Sequence, residues 1–164
     1  MRKIWIALLV MAPCLFAHGG ENNCQEVGRA VLTNFLSTPA PGANTLGTAT
    51  GELRGGLGVT ILTVTPPNPG PGQTVVFHIQ HHWVTEAGDT IFLDPADVTA
   101  FPTTINGLFA ASYIKGVTIT GGTGRFAGAH GTLTVFGAVD LSQDFGHIVL
   151  RYQGEICFAQ PDEH

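Results

Sequence analysis

The sequence predicts an all-β fold, a single antiparallel β-barrel of eight strands. From Arg29 onward apolar and polar residues alternate with a period of two, which is typical of strands that bury one face. Glycine and proline, 22 and 10 of the 164 residues, separate these alternating segments. Only 12% of the residues are charged, which excludes coiled coils and long solvated helices. A closed barrel is favoured over an open sheet because closure leaves no unpaired edge strand.

The residues before the alternating region follow a different pattern. Arg2 and Lys3 precede an apolar run from residue 4 to residue 17. This order is typical of a secretory signal peptide, and the run is shorter than the roughly 20 residues that cross a bilayer. The sequence therefore predicts a signal peptide at 1–17 and a single barrel domain at 18–164. The domain is expected to be exported to the periplasm or the extracellular space, without stable insertion in a membrane.

The domain that would remain after cleavage is acidic and holds two cysteines, Cys24 and Cys157. Without residues 1–17 the chain keeps five basic residues against twelve acidic ones, which argues against a nucleic-acid partner. In an oxidising compartment the simplest interpretation of the two cysteines is one disulfide bond. The alternatives are two free thiols and a metal site with two cysteine ligands.

The first half of the domain predicts four strands. They are expected at 28–36, 45–53, 57–65 and 75–83. A segment rich in proline and glycine, 66–72, follows the third strand and cannot form regular structure. In the fourth strand the alternation places His81 on the apolar face with Trp83, and His78 and His82 on the opposite face.

The second half of the domain predicts four more strands and one helical turn. The strands are expected at 90–93, 109–120, 132–141 and 148–158, and the helical turn at 94–100. Residues 142–146 are expected to join the last two strands into a hairpin. In the last strand Tyr152 and Ile156 share one face, whereas Arg151 and Glu155 share the other.

A glycine-rich segment precedes the strand at 132–141. It reads Gly-Gly-Thr-Gly-Arg-Phe-Ala-Gly-Ala-His-Gly from residue 121 to residue 131. Consecutive glycines permit positive φ angles and a tight turn, and Phe126 is expected to plug an apolar end of the barrel. The alternative is a phosphate-binding loop. It is disfavoured because a strand follows, so no helix N-terminus is available for a phosphate.

The same segment resembles the signature of the allene oxide cyclase and dirigent barrel superfamily. The residues that carry the resemblance are Gly121, Gly122, Thr123, Gly124, Phe126 and Gly131. It implies an eight-stranded antiparallel barrel with a central, largely apolar cavity, and oligomerisation of the chain. The sequence departs from the plant dirigent pattern at His130, where arginine is usual, and no catalytic set of the family aligns with it. The resemblance therefore implies a fold and not a reaction.

The histidines are the first candidates for metal ligands, and His78, His81 and His82 cluster in the sequence. A strand rises about 3.3 Å per residue, so His78 and His82 lie roughly 13 Å apart on one face. His81 points to the opposite face. Because each ligand of a zinc ion lies about 2 Å from it, this spacing does not suit a single ion. The sequence predicts no metal site and no cofactor.

Six ionisable residues are weak candidates for general acid and base chemistry. They are Glu52, Arg54, His78, His82, Arg151 and Glu155. A carboxylate that faced the barrel interior would have a raised pKa and could protonate or polarise a bound substrate. The alternative is that these residues point outward and solubilise the protein. No serine lies in a Gly-x-Ser-x-Gly pattern, so a serine hydrolase is not expected.

Two functions are consistent with these patterns. The first is a secreted barrel that binds a small apolar ligand, or a partner protein, without catalysis. The second is a cyclase, an isomerase or a dirigent-type guide that confines a reactive apolar substrate in the barrel. The direction of Arg151 and Glu155 separates the two, because an inward polar face would form a pocket suited to chemistry, whereas an outward one leaves an apolar interior.

Overall fold

A computed structural model describes residues 23–70, 72–142 and 146–160 of the chain. The predicted signal peptide at 1–17 lies outside the described residues. The described residues form ten strands and two short 3₁₀ turns. The strands are β1 (Cys24–Phe35), β2 (Asn44–Ala49), β3 (Gly55–Thr65), β4 (Val75–Thr85), β5 (Thr90–Leu93), β6 (Ala96–Pro102), β7 (Leu108–Ser112), β8 (Val117–Gly122), β9 (His130–Asp140) and β10 (His147–Cys157). The 3₁₀ turns are Gly51–Leu53 and Gly124–Phe126.

Eight of the strands close into a ring. In the order β1, β2, β3, β4, β5, β8, β9, β10 each strand is hydrogen-bonded to the next, and β10 pairs back with β1. Every pair in the ring is antiparallel. The prediction of a closed antiparallel barrel of eight strands is confirmed. The two additional strands, β6 and β7, pair with each other and form a second link between β4 and β9.

The two additional strands exist because the chain is interrupted twice along the barrel wall. β4 pairs with β6 near its beginning and with β5 near its end, whereas β9 pairs with β8 near its beginning and with β7 near its end. Pro95, which has no N–H to donate to a ladder, separates β5 from β6. A turn in which the Gly116 N–H donates to the Tyr113 carbonyl oxygen separates β7 from β8.

Two sequence predictions were wrong in this part of the wall. The helical turn expected at 94–100 is strand β6, because its backbone pairs with β4 while Ala96 and Ala100 are buried. The single strand expected at 109–120 is broken into β7 and β8. Gly116 between them has φ +73°, a conformation that glycine adopts readily and that does not continue a strand.

A third difference concerns the strand expected at 45–53, which ends early. Gly51 has φ +86° and directs the chain into a 3₁₀ turn. That turn buries Leu53 completely. Glu52 and Arg54 therefore lie on a connection rather than on a strand.

The other predicted strands agree with the structure to within a few residues. The hairpin between the last two strands is confirmed, since His147 of β10 lies opposite Asp140 of β9. Its connection was expected at 142–146, of which residues 143–145 lie outside the described part of the chain.

The first and last strands of the ring are also joined covalently. Cys24 lies opposite Cys157 in the β1–β10 pair, and the two sulfur atoms form a disulfide bond. The predicted disulfide is confirmed, and it links residues separated by 133 positions in the sequence. Such a bond is compatible with an oxidising, exported environment.

Removing this disulfide should destabilise the barrel. In the chain-entropy model a cross-link over a loop of this length contributes about 5 kcal/mol, because it restricts the unfolded chain. We expect the Cys24→Ser/Cys157→Ser variant to lose up to about this amount in its free energy of unfolding, measured by urea denaturation. A reductant should bring the wild type to the same value and leave the double variant unchanged. A wild type that does not respond to reductant would contradict the prediction.

Candidate functional site

The barrel has one closed end and one open end. The connections β2–β3, β4–β5 and β8–β9 lie at the closed end, together with the disulfide. Leu53, Phe126 and Ile156 fill this end and are completely shielded from solvent. The connections β1–β2, β3–β4 and β6–β7 surround the open end. The space between the two ends is the candidate site.

The glycine-rich turn after β8 builds part of the closed end. Gly124 has φ +54°, and a Cβ atom at this position would overlap the Asp89 carboxylate. The Thr123 hydroxyl oxygen accepts the Thr90 N–H at 2.8 Å and so ties the turn to β5. Phe126 is thereby directed into the barrel. The expectation that Phe126 plugs an apolar end of the barrel agrees with its complete burial.

Above the closed end the barrel encloses a cavity of 630 Å³. Inward side chains from all ten strands line it, and most of these side chains are aliphatic or aromatic. The volume falls within the range of about 300 to 1,000 Å³ that is usual for small-molecule sites. Among the described residues that line the cavity, none is aspartate, glutamate, lysine or arginine.

Trp83 and Tyr152 form the floor of the cavity. Their rings meet edge to face, with centroids 5.4 Å apart and an angle of 88° between the ring planes. The Trp83 indole N–H donates to the Leu53 carbonyl oxygen at 2.7 Å, and the Tyr152 hydroxyl donates to the Thr50 carbonyl oxygen at 2.6 Å. Both polar atoms are already hydrogen-bonded to the connection after β2. Only the aromatic rings of Trp83 and Tyr152 are therefore available to contact a ligand.

One polar pair lines the cavity wall. His81 and Tyr113 are 8% and 6% exposed, and 3.1 Å separates the His81 Nε2 from the Tyr113 hydroxyl oxygen. Burial lowers the pKa of His81 to about 4, with a smaller contribution from His82. Burial also raises the pKa of Tyr113. Both side chains are therefore neutral at neutral pH, and a change of imidazole tautomer exchanges their donor and acceptor roles.

Two buried polar atoms in this region have no hydrogen-bond partner among the described residues. They are Nδ1 of His81 and the hydroxyl oxygen of Thr45, and both residues belong to the lining of the cavity. Thr45 of β2 and His81 of β4 lie in one row across the sheet, with Val59 of β3 between them. Unpaired buried polar groups are rare in folded proteins. This row therefore brings two unpartnered polar groups into a wall that is mostly apolar.

The six ionisable candidates lie outside the cavity. Its lining contains none of Glu52, Arg54, His78, His82, Arg151 and Glu155. On β10, Arg151 and Glu155 are exposed, whereas Tyr152 and Ile156 are buried in the interior. Because the strand alternation turns Arg151 and Glu155 toward water, they do not form the polar inner face that acid and base chemistry in the barrel would require.

Two of the six have charged partners on the outer surface. Arg54 Nε lies 2.8 Å from Glu86 Oε2, and both side chains are largely exposed. His78 Nδ1 lies 2.8 Å from Asp97 Oδ1, across the β4–β6 pair. Exposed ion pairs of this kind contribute little to stability. The geometry indicates solvated surface pairs rather than a reactive centre.

Sequence reasoning did not single out His81 and Tyr113 as a pair. The apolar alternation of β4 correctly placed His81 on the inner face. Nothing in the sequence linked it to Tyr113, 32 residues later, because their contact depends on the interruption of the strand between β7 and β8.

Within residues 23–70, 72–142 and 146–160, one group of three potential metal ligands is close enough to share an ion. It consists of Cys24, Glu155 and Cys157. The two cysteines are joined in the disulfide and so do not offer thiolate ligands. The group is therefore not treated as a metal site.

Comparison with protein-family models, with curated proteins and with solved structures gives no match. The resemblance to the allene oxide cyclase and dirigent superfamily therefore stays a prediction, carried by the turn sequence from 121 to 131. In the part of the chain that the structure describes, no helix is long and apolar enough to cross a membrane.

The burial of neutral His81 should make the stability of the barrel depend on pH. The unfolded chain takes up a proton at the ordinary histidine pKa of about 6.5, whereas the folded protein takes it up only near pH 4. Between these values the unfolded state binds more protons, so stability falls as the pH falls. From pH 8 to pH 5 the expected loss from this residue is about 2 kcal/mol.

Urea denaturation at several pH values measures this loss. The His81→Gln variant should show a flatter profile between pH 8 and pH 5, because the titrating group is gone. His130→Gln, a change at an exposed histidine, is the matched control and should keep the wild-type slope. Equal slopes in the wild type and His81→Gln would contradict the assignment.

Proposed function

We propose that this protein is an exported barrel that binds one small, neutral, apolar molecule in its central cavity. The observation that supports this most directly is the 630 Å³ cavity, which is lined largely by apolar side chains and reached from the open end. The disulfide and the resemblance of the 121–131 turn to exported barrels of the allene oxide cyclase and dirigent superfamily are consistent with it.

The neutrality of the ligand follows from the charges of the wall. An ionised group carried into the cavity would lose its hydration without meeting an opposite charge among the described lining residues. Burying an unpaired charge is far more costly than burying an apolar group. His81 does not supply the missing charge, because burial holds its pKa at about 4. A neutral ligand is therefore favoured over a carboxylate or an amine.

A matched pair of fluorescent dyes tests this proposal. N-Phenyl-1-naphthylamine is neutral, and 8-anilinonaphthalene-1-sulfonate has the same rings with one sulfonate added. We expect the neutral dye to bind at least about tenfold more tightly, a difference of about 1.4 kcal/mol, because the sulfonate has no partner in the cavity. Fluorescence titration of the folded protein gives both dissociation constants.

Two neighbouring positions on β10 provide a matched pair of variants. Ile148 lines the cavity, whereas the side chain of Val149 is 52% exposed on the outside. Ile148→Trp should narrow the cavity and weaken binding of the neutral dye, and Val149→Trp should leave it unchanged. Equal binding by both variants, or tighter binding of the sulfonate dye, would place the dye outside the cavity and contradict the proposal.

A second function, an isomerase or cyclase acting on a confined apolar substrate, is favoured by one observation. His81 and Tyr113 line the cavity as a hydrogen-bonded, neutral pair of ionisable groups. Such a pair can accept a proton at one atom while it donates one at another, which is what an isomerisation without change of composition needs.

The molecules extracted from wild-type and Tyr113→Phe protein, produced in the same cells, distinguish conversion from binding. Cyclisation and isomerisation conserve mass, so an enzyme should hold a product in the wild type and an isomer of equal mass in the variant. Chromatography combined with mass spectrometry resolves the two. If both proteins yield the same compound, binding without catalysis is supported.

A further inference from the structure

Three of the four connections at the open end of the barrel carry no charged residue. We define the rim as residues 36–43, 66–70, 72–74 and 103–107, all of which the structure describes. Their sequences contain no aspartate, glutamate, lysine, arginine or histidine. The fourth connection at this end, 141–146, contains a single acid, Asp144, and its residues 143–145 lie outside the described part of the chain.

The closed end has the opposite character. Its connections carry Glu52, Arg54, Glu86, Asp89 and Arg125. The contrast is therefore between five charged residues on these connections and none on the rim. The closed end is suited to water, whereas the rim can leave water without stripping the hydration shell from a charged group.

Two further features of the rim point to an apolar environment. Leu36 and Ile105 lie on different rim connections and are 58% and 62% exposed. The rim is also rich in proline, and a proline has no backbone N–H that would need a hydrogen-bond acceptor in a hydrocarbon phase. The prolines of the described rim are Pro39, Pro41, Pro66, Pro67 and Pro69.

The rim surrounds the entrance of the cavity. Pro39, Pro67 and Ile105 belong both to the rim and to the cavity lining. A molecule could therefore pass directly between a surface that contacts the rim and the interior of the barrel. A neutral apolar ligand is poorly soluble in water, so direct passage between such a surface and the cavity would avoid an unfavourable aqueous step.

We propose that the rim docks on an uncharged lipid surface and that the cavity exchanges its ligand with that surface. This inference rests on the proposed ligand-binding function. A lipid surface fits better than a protein partner, because the rim surrounds the entrance of an apolar cavity and a neutral apolar ligand collects in a lipid phase. The rim offers prolines, exposed aliphatic side chains and uncharged polar side chains around this opening. The absence of basic residues distinguishes this surface from one that recognises anionic lipids.

Co-sedimentation with vesicles tests the docking. The protein should bind phosphatidylcholine vesicles, and 30% phosphatidylglycerol should not strengthen binding, because the rim holds no basic side chain. The Leu36→Glu/Ile105→Glu variant should bind at least tenfold more weakly. Leu32→Glu/Ile114→Glu is the matched control, because it adds the same charge at exposed leucine and isoleucine positions outside the rim, and it should bind within twofold of the wild type.

Two solution measurements separate the possible failures. Without vesicles, both double variants should give the circular dichroism spectrum of the wild type, which shows that they are folded, and the wild-type protein should bind N-phenyl-1-naphthylamine. If the dye binds but no protein sediments with vesicles, the docking is overturned and the proposed function stands. If wild-type protein does not bind the dye, the proposed function itself fails.

Three further results would overturn the docking. The first is binding that requires phosphatidylglycerol. The second is an equal loss of vesicle binding in the rim variant and its control. The third is a wild-type dimer that the rim variant converts to a monomer, since this would assign the rim to a contact between two copies of the chain. If Leu36→Glu/Ile105→Glu does not fold, Leu36→Gln/Ile105→Gln should replace it and should also bind vesicles more weakly than the wild type, by a smaller factor.

Discussion

The pairing of β1 with β10 is the interaction on which the rest of the structure depends. These two strands stand at opposite ends of the described chain, and their hydrogen bonds run from Cys24 opposite Cys157 to Asn34 opposite His147. Without this pairing the sheet would be open and its inner face would have no interior to line. With it, the alternation of every strand sorts side chains into an inside and an outside. The disulfide fixes the same pair of strands at the closed end.

The scarcity of charge and the cavity have a common physical explanation. An inward position in a closed barrel is shielded from water, so a charge placed there would need a partner of opposite sign. The charged side chains of the described residues instead lie on outer faces and connections, outside the lining of the cavity. His81 and Tyr113 follow the same rule, since the burial that surrounds them keeps both neutral. The wall is mostly apolar, and the row that contains Thr45 and His81 brings unpaired polar groups into it.

Regular strands could be predicted from the sequence, whereas their interruptions could not. In β10 the alternation of Arg151 and Tyr152 is strong enough to define both faces without tertiary information. β6 is different, because it contains Asp97 and ends at Pro102, and its strand character comes from pairing with β4. Strand propensity depends on the neighbouring strand, so a short segment of this kind has too little local signal.

By itself the sequence determined the fold class, the hairpin of the last two strands, the disulfide partners and the turn that carries Phe126 into the closed end. These depend on local alternation, on glycines at fixed positions and on the presence of two cysteines in the predicted domain. The tertiary structure alone decided where β6 and β7 complete the wall, that the six ionisable candidates face water, and that His81 meets Tyr113. Those outcomes depend on which strands become neighbours when the ring closes. Closure brings together residues whose contact cannot be predicted from their spacing in the sequence.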